Sequence, residues 1–142
     1  LRGGLSDLES GFLVSQEFLI AGEIFAEVLE QAKYLRSRKY KDVAAMLGRT
    51  VLEDGLKRMA RQEGLKLTHK QGSQERAKKA SELNDELKKN GRYREPQRSS
   101  IQAWLAIGNA AAHSNFNDYD DDEVKTMLEG IENFLAIIML NK

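Results

Sequence analysis

Residues 42–64 read DVAAMLGRTVLEDGLKRMARQEG. Val43, Leu47, Val51, Leu52, Leu56 and Met59 recur at the three-to-four-residue spacing of one helix face. Gly64 stands where a helix needs a left-handed C-terminal residue. The stretch therefore predicts a helix from about Asp42 to about Glu63. Nothing around it alternates with the period of two that a strand requires.

The same period extends outward. Leu5, Leu8, Phe12, Leu19, Phe25, Val28, Leu29, Ala32 and Leu35 predict a first helix over about 5–40, in which Gly11 and Gly22 mark a break or a close crossing. After Gly64, LKLTHKQGSQERAKK is polar and aperiodic and reads as a loop. A short helix over about 77–90 is anchored by Leu83 and Leu87 and ended by Gly91. RYREPQRSS is a basic linker, with Pro96 near the start of a fourth helix over about 97–113. That helix turns Ile101, Trp104, Leu105 and Ile107 or Gly108 inward. A fifth begins in DYDDDE and carries Val124, Met127, Leu128, Ile131, Phe134, Leu135 and Ile138. The expectation is a single all-α bundle of about five helices over residues 1–142.

The 142 residues carry 22 basic and 22 acidic side chains, so no whole-surface charge draws the chain to nucleic acid or to an anionic membrane. There is no cysteine, which removes thiolate chemistry and disulfides and suits the cytoplasm. No window is apolar enough for a membrane span. The start, LRGGLSDLES, lacks both a signal-peptide pattern and an initiator Met, and is read as a processed end or as the C-terminal domain of a longer protein.

Chemistry-bearing residues gather in AWLAIGNAAAHSNFNDYDDDEVKTML, residues 103–128. Asn109 and His113, four apart, share one helix face, and Ala110, Ala111 and Ala112 give that face little bulk. The plain reading of His113 is a helix C-terminal histidine, favoured there by the dipole and bonded to a neighbour. Asp118, Asp120, Asp121, Asp122 and Glu123 have two readings, a hard-cation site and the acidic start of a helix. Their spacing is not that of a calcium loop. Glu53 and Asp54 lie mid-helix, where an inward carboxylate needs a partner; His113 and Arg49 are the candidates. His69, in the polar loop, reads as surface. YLRSRKYK, KLTHKQ, ERAKK and KKNGRYREPQR, with Tyr34, Tyr40 and Tyr93 interleaved, fit an RNA-binding surface or, more plainly, solvated helix ends. Trp104 reads as a core anchor. No cofactor and no resident metal are expected.

Three segments together, KDVAAMLGRTVLEDGLKRMA (41–60), LNDELKKNGRY (83–93) and IQAWLAIGNAAAHSNFNDYDDDEVKTMLEGIENFL (101–135), resemble the prokaryotic branch of the HEPN superfamily over roughly residues 25–138. The resemblance implies a helical bundle that pairs as a homodimer, with the motif helices facing across a cleft. Active members carry an Arg, four to six residues, His motif. They are metal-independent ribonucleases of toxin–antitoxin, restriction and phage-defence systems. Others have lost the motif and serve in binding or assembly.

His113 matches the family histidine and Asn109 the polar residue after the arginine. The arginine itself would fall at Gly108. A guanidinium there would stabilise charge on the phosphoryl oxygens while the histidine moves a proton; glycine does neither. Arg98 lies nearly three turns from that position on its own helix and cannot fill it within one subunit; Arg49 is on the second helix, which can pack near the fourth; across a dimer either arginine could approach. Three functions follow as expectations. The first is a non-catalytic HEPN-type module for assembly or for nucleic-acid or nucleotide binding in a bacterial defence or stress system, as a domain of a larger protein. The second is a metal-independent endoribonuclease using His113 and Asn109, with Glu53 as orienting acid. The third is an all-α interaction domain unrelated to RNA, which a monomer with His113 buried in its core would favour.

Overall fold

The structure, a computed structural model, describes residues 2–139, with side chains from residue 16 onward. Five α-helices form it: α1 (Arg2–Ser37), α2 (Lys41–Gln62), α3 (Ala80–Lys89), α4 (Glu95–Ala112) and α5 (Asp121–Phe134). The last runs on into a π-helical turn, Leu135–Met139. The expected all-α bundle is present.

The helix α2 lies at the centre and packs on α1, α3, α4 and α5. Its buried face is Ala44, Ala45, Gly48, Val51, Leu52, Gly55, Leu56, Met59 and Ala60. This corrects the stripe read from the sequence. Val51, Leu52, Leu56 and Met59 are in it, but Val43 is exposed and Leu47 only half-buried. A helix covered on several sides needs small residues where its neighbours come closest. A Cβ at Gly48 would lie 2.9 Å from Leu128 Cδ2, and one at Gly55 3.0 Å from Leu135 Cδ2. These two glycines, seven apart, seat α5 and the π turn.

The other helices follow their patterns more closely. In α1, Phe25, Leu29 and Ala32 are buried, with Val28 and Leu35 half-buried. Leu19, expected on the same stripe, is exposed, as are Ile20 and Ile24. Leu5, Leu8 and Phe12 lie outside the described side chains, and the helix passes through Gly11 and Gly22 without a break. Leu83 and Leu87 of α3 are fully buried, as are Ile101 and Leu105 of α4. The whole expected stripe of α5 is buried from Val124 to Leu135, with Ile138 partly so.

The polar segment after Gly64 is not an open loop. Thr68–Gln71 (β1) and Gln74–Ala77 (β2) pair antiparallel, with His69 opposite Arg76 and Lys70 opposite Glu75. Gly72 and Ser73 make a two-residue turn, and Gly72 supplies the positive φ of 69° that such a turn needs at its first central position. Because β2 ends at Ala77, α3 starts at Ala80, three residues later than expected.

Four helices end in the same device. The N–H of the residue two past the last turn reaches back to a carbonyl in the helix: Tyr40 to Leu35, Leu65 to Ala60, Arg92 to Leu87, Asn115 to Ala110. This is the Schellman arrangement, with a left-handed residue before the returning N–H. Gly64 and Gly91 fill that place as expected, but Lys39 (φ 72°) and Ser114 (φ 61°) fill it after α1 and α4. A side chain in this conformation costs about 1–2 kcal/mol, part of which glycine's extra unfolded-state freedom offsets. Lys39→Gly and Ser114→Gly are each expected to raise the unfolding free energy by roughly 0.5–1 kcal/mol. Urea denaturation checks this; a loss of stability in both would contradict it.

Candidate functional site

The histidine stands at the C-cap of α4. Its N–H donates to the Asn109 carbonyl at 3.0 Å, and its backbone (φ −97°, ψ 14°) has left the helix. The loop beyond it is pinned to the start of α2. Lys41 Nζ donates to the carbonyl oxygens of Phe116 at 2.7 Å and Tyr119 at 3.2 Å. The same ammonium sits 3.9 Å from the centre of the Tyr119 ring, a cation–π contact. Tyr119 is buried and its hydroxyl donates to Asp42 Oδ1. Burial raises the Tyr119 pKa first, and the neighbouring carboxylate adds to it, so the hydroxyl stays a donor at neutral pH.

Within this frame Asn109 and His113 are exposed, as are Ala106 and Ala112, while Gly108 and Ala111 are buried against the bundle. Among the described residues no side chain hydrogen-bonds or ion-pairs with the imidazole. It is neither the neighbour-bonded helix-end histidine of the plain reading nor the buried histidine of an interaction domain. It is held by its backbone and open to solvent.

The Gly108 position is occupied from the other side. A Cβ there would lie 2.5, 2.8 and 2.9 Å from Cβ, Cγ and Cδ of Arg49. The side-chain stem of Arg49, crossing from α2, fills the volume that an arginine on α4 would need. Its Nε lies 2.7 Å from Glu53 Oε1, although the N–H does not point at that oxygen well enough to make a hydrogen bond. Glu53 is thereby engaged by Arg49 rather than by His113. Asp54 pairs with Arg58 at 2.9 Å. Arg98 is held at the other end of α4 by Glu95 at 2.7 Å and Asp85 at 3.3 Å, about four turns of helix from His113.

The acidic run works as a helix start. The Asp120 side chain accepts from the Glu123 N–H at 2.8 Å, and Glu123 Oε1 accepts from the Asp120 N–H at 3.1 Å, which is a capping box. Asp121 reaches Arg36 at 2.7 Å. Among the described residues no group of three or more His, Asp or Glu side chains is placed to hold a metal ion.

Three other candidates change. Tyr93, grouped with the RNA-stacking aromatics, is buried, and its hydroxyl donates to Asn84 Oδ1 at 2.7 Å; burial is the main cause that raises its pKa. Tyr34 and Tyr40 are exposed. His69 is on β1, with Nδ1 3.6 Å from Glu82 Oε2. Trp104 is half-buried, edge-on to Phe134 at 6.4 Å, and lies so close over Gly130 that any side chain there would strike the indole. It anchors α4 on α5 and lines an open groove of about 290 Å³ with Pro96, Phe134 and Ile137.

The sequence reading missed Arg92. Its guanidinium is buried and donates to Gln62 Oε1 at 2.7 Å and to the carbonyls of Ile138 at 3.1 Å and Met139 at 3.4 Å. Only its place in a basic linker was visible. Compared with family models, curated proteins and solved structures, the chain matches none. Among the described residues no helix is long and apolar enough to cross a membrane.

Proposed function

We propose that this chain is a HEPN-type helical module without ribonuclease activity of its own, serving homodimer assembly or nucleic-acid or nucleotide binding in a bacterial defence or stress system. One observation supports this most. The place of the motif arginine is glycine, closed by the Arg49 stem, and the guanidinium on that stem already lies against Glu53. A cation neutralised by a carboxylate at 2.7 Å stabilises little additional negative charge on a phosphate. The exposed small residues Ala106 and Ala112 beside Asn109 leave α4 open to a second helix at close range, which supports the dimer. The test is incubation of the purified chain with structured and with single-stranded RNA in excess chelator. No cleavage above the background is expected. Metal-independent cleavage that disappears in His113→Ala overturns the reading.

The endoribonuclease reading is kept for a specific reason: Arg49 brings a guanidinium to the surface of α4 at the motif position. If the natural chain cleaves RNA, Arg49→Ala and His113→Ala should each lower the rate by about 10²–10³. A variant that keeps full rate without Arg49 removes that arginine from the mechanism.

A further inference from the structure

Charge is not spread evenly over the molecule. Residues 57–98 hold 13 of the 22 basic side chains and 6 of the 22 acidic ones, a net of +7, which leaves −7 for the rest of the chain. In space the segment forms one end of the bundle: the last turns of α2, the hairpin, α3, the linker and the first turn of α4. Arg92 ties that end together by bonding Gln62 and the π turn. His113 is at the opposite end of α4, about 25 Å away by helical rise.

Internal pairing sharpens the imbalance. Five of the six carboxylates are engaged: Glu63 with Arg92, Glu82 with His69, Asp85 and Glu95 with Arg98, Glu86 with Lys78. Among the described residues only Glu75 has no ion pair. Against it stand Lys57, Arg61, Lys66, Lys70, Arg76, Lys79, Lys89 and Arg94, all exposed and none with a carboxylate partner among the described residues. Eight free cations on one end exceed what solubility requires of a chain of zero net charge, and they are an electrostatic footprint for a polyanion.

The surroundings of these cations select the polyanion. None of the exposed large hydrophobic residues, from Leu19 to Ile137, falls within 57–98. Stable membrane anchoring needs an apolar face or chain beside a basic patch, and the buried centre of a protein interface is apolar. The segment's one Phe, Tyr or Trp, Tyr93, is buried, which leaves a single partly exposed ring, His69 beside Glu82, and no platform of successive aromatics of the kind on which single-strand recognition rests. What remains is contact to a phosphate backbone and polar groups for groove edges. The hairpin supplies the latter. All of β2 is exposed, and the two strands form a polar ribbon tipped by Gln71 and Gln74 and flanked by Lys70 and Arg76. A two-stranded ribbon enters the major groove of B-DNA but not the deep, narrow one of A-form RNA.

We propose that this basic end binds double-stranded DNA, with the hairpin in the major groove and Lys57, Arg61, Lys66, Lys79 and Lys89 on phosphates. The proposal names a ligand and a surface for the nucleic-acid arm of the proposed function and rests on that arm, but its surface is not the His113 face. The test is fluorescence anisotropy of the natural chain with a 20-base-pair DNA duplex, its RNA counterpart, single strands of each, and anionic lipid vesicles, over a range of salt. The DNA duplex should bind tightest, with a log–log salt slope of about −4 to −5 for five phosphate contacts. Lys66→Glu/Lys70→Glu/Lys79→Glu, all at exposed positions, should flatten the slope by about 2–3 and weaken binding by roughly two orders of magnitude near 0.1 M salt, with circular dichroism unchanged. His113→Ala and Asn109→Ala should leave binding as it was. Tighter binding of single strands, of duplex RNA or of vesicles overturns the proposal. So does DNA binding that survives the triple substitution but falls in His113→Ala, which would move the surface to α4 and leave the nucleic-acid reading standing. Absence of binding to any nucleic acid at low salt overturns both.

Discussion

Arg92→Ala is expected to lower the unfolding free energy by about 3–5 kcal/mol, the range for removing one member of a buried charged network. Arg92 is 5% exposed and its partner Glu63 9%. The guanidinium ties the end of α2 to the π turn: it donates to Gln62 and lies 3.6 Å from Glu63 Oε2 on one side, and donates to the last carbonyls of the π turn on the other. Burial lowers its pKa, while it remains charged at any ordinary pH. Truncation strips the carbonyls of Ile138 and Met139 of a charged donor in a part-buried setting. Arg92→Lys should recover only part of the loss, because an ammonium cannot present the same fork to Gln62 and to the carbonyls. Chemical denaturation measures the stability, and hydrogen exchange over 135–139 separates the causes. Faster exchange there before global unfolding is expected; uniform loss of protection would show that the clamp acts elsewhere.

How far the fold was legible depends on whether the information was local. Helix ends were. Gly64 and Gly91 announce left-handed caps, and Asp120 with Glu123 announces a helix start, because each device works over five residues of chain. The apolar stripes of α3 and α5 were legible because those helices present one face to the bundle. The rotation of α2 was not. A period of 3.6 locates a helix, but Val43 and Leu47 score as core as readily as Ala44 and Gly48 do not. What decides is that α5 approaches α2 at Gly48 and Gly55, which only the folded chain contains. The hairpin failed for a different reason. Its strands are four residues long and polar on both faces, so no alternation exists to be seen; the Gly72–Ser73 turn between two polar runs was the one available signal. The basic neighbours of Tyr93 suggest an exposed aromatic, yet its side chain points into the core to meet Asn84.

The candidate site divides along the same line. That His113 and Asn109 share a face follows from their spacing. That Gly108 is the point where α2 crosses α4, and that the crossing residue is Arg49, is a relation between positions 59 residues apart, and no local pattern encodes it. It has a direct experimental signature.

Gly108→Ala is expected to cost about 1–3 kcal/mol, as overpacking does, and Gly108→Arg more, because the first atoms of the new side chain meet the first atoms of the Arg49 side chain. The pairing can be tested by its fine structure. Arg49→Ala keeps Cβ, so Gly108→Ala should remain costly in that background. Arg49→Gly removes the obstacle, and there the penalty should vanish, giving a coupling of about 1–3 kcal/mol in the double-mutant cycle. Equal penalties in all backgrounds would mean that Gly108 is needed for another reason. The cycle also bears on function, since Arg49→Gly/Gly108→Arg transfers one guanidinium from α2 to α4. It then leaves four residues before His113, the spacing of the active family that the sequence resembles, and it is no longer next to Glu53 on its own helix. If the natural chain is silent toward RNA and this double variant cleaves it without metal, the chain has kept the geometry of a nuclease and lost only its charge. If the natural chain cleaves and the Arg49→Gly single variant does not, the charge was never lost but moved to the neighbouring helix. Gly108 is where the two helices meet, and these two outcomes distinguish a guanidinium that acts with His113 from one that only packs.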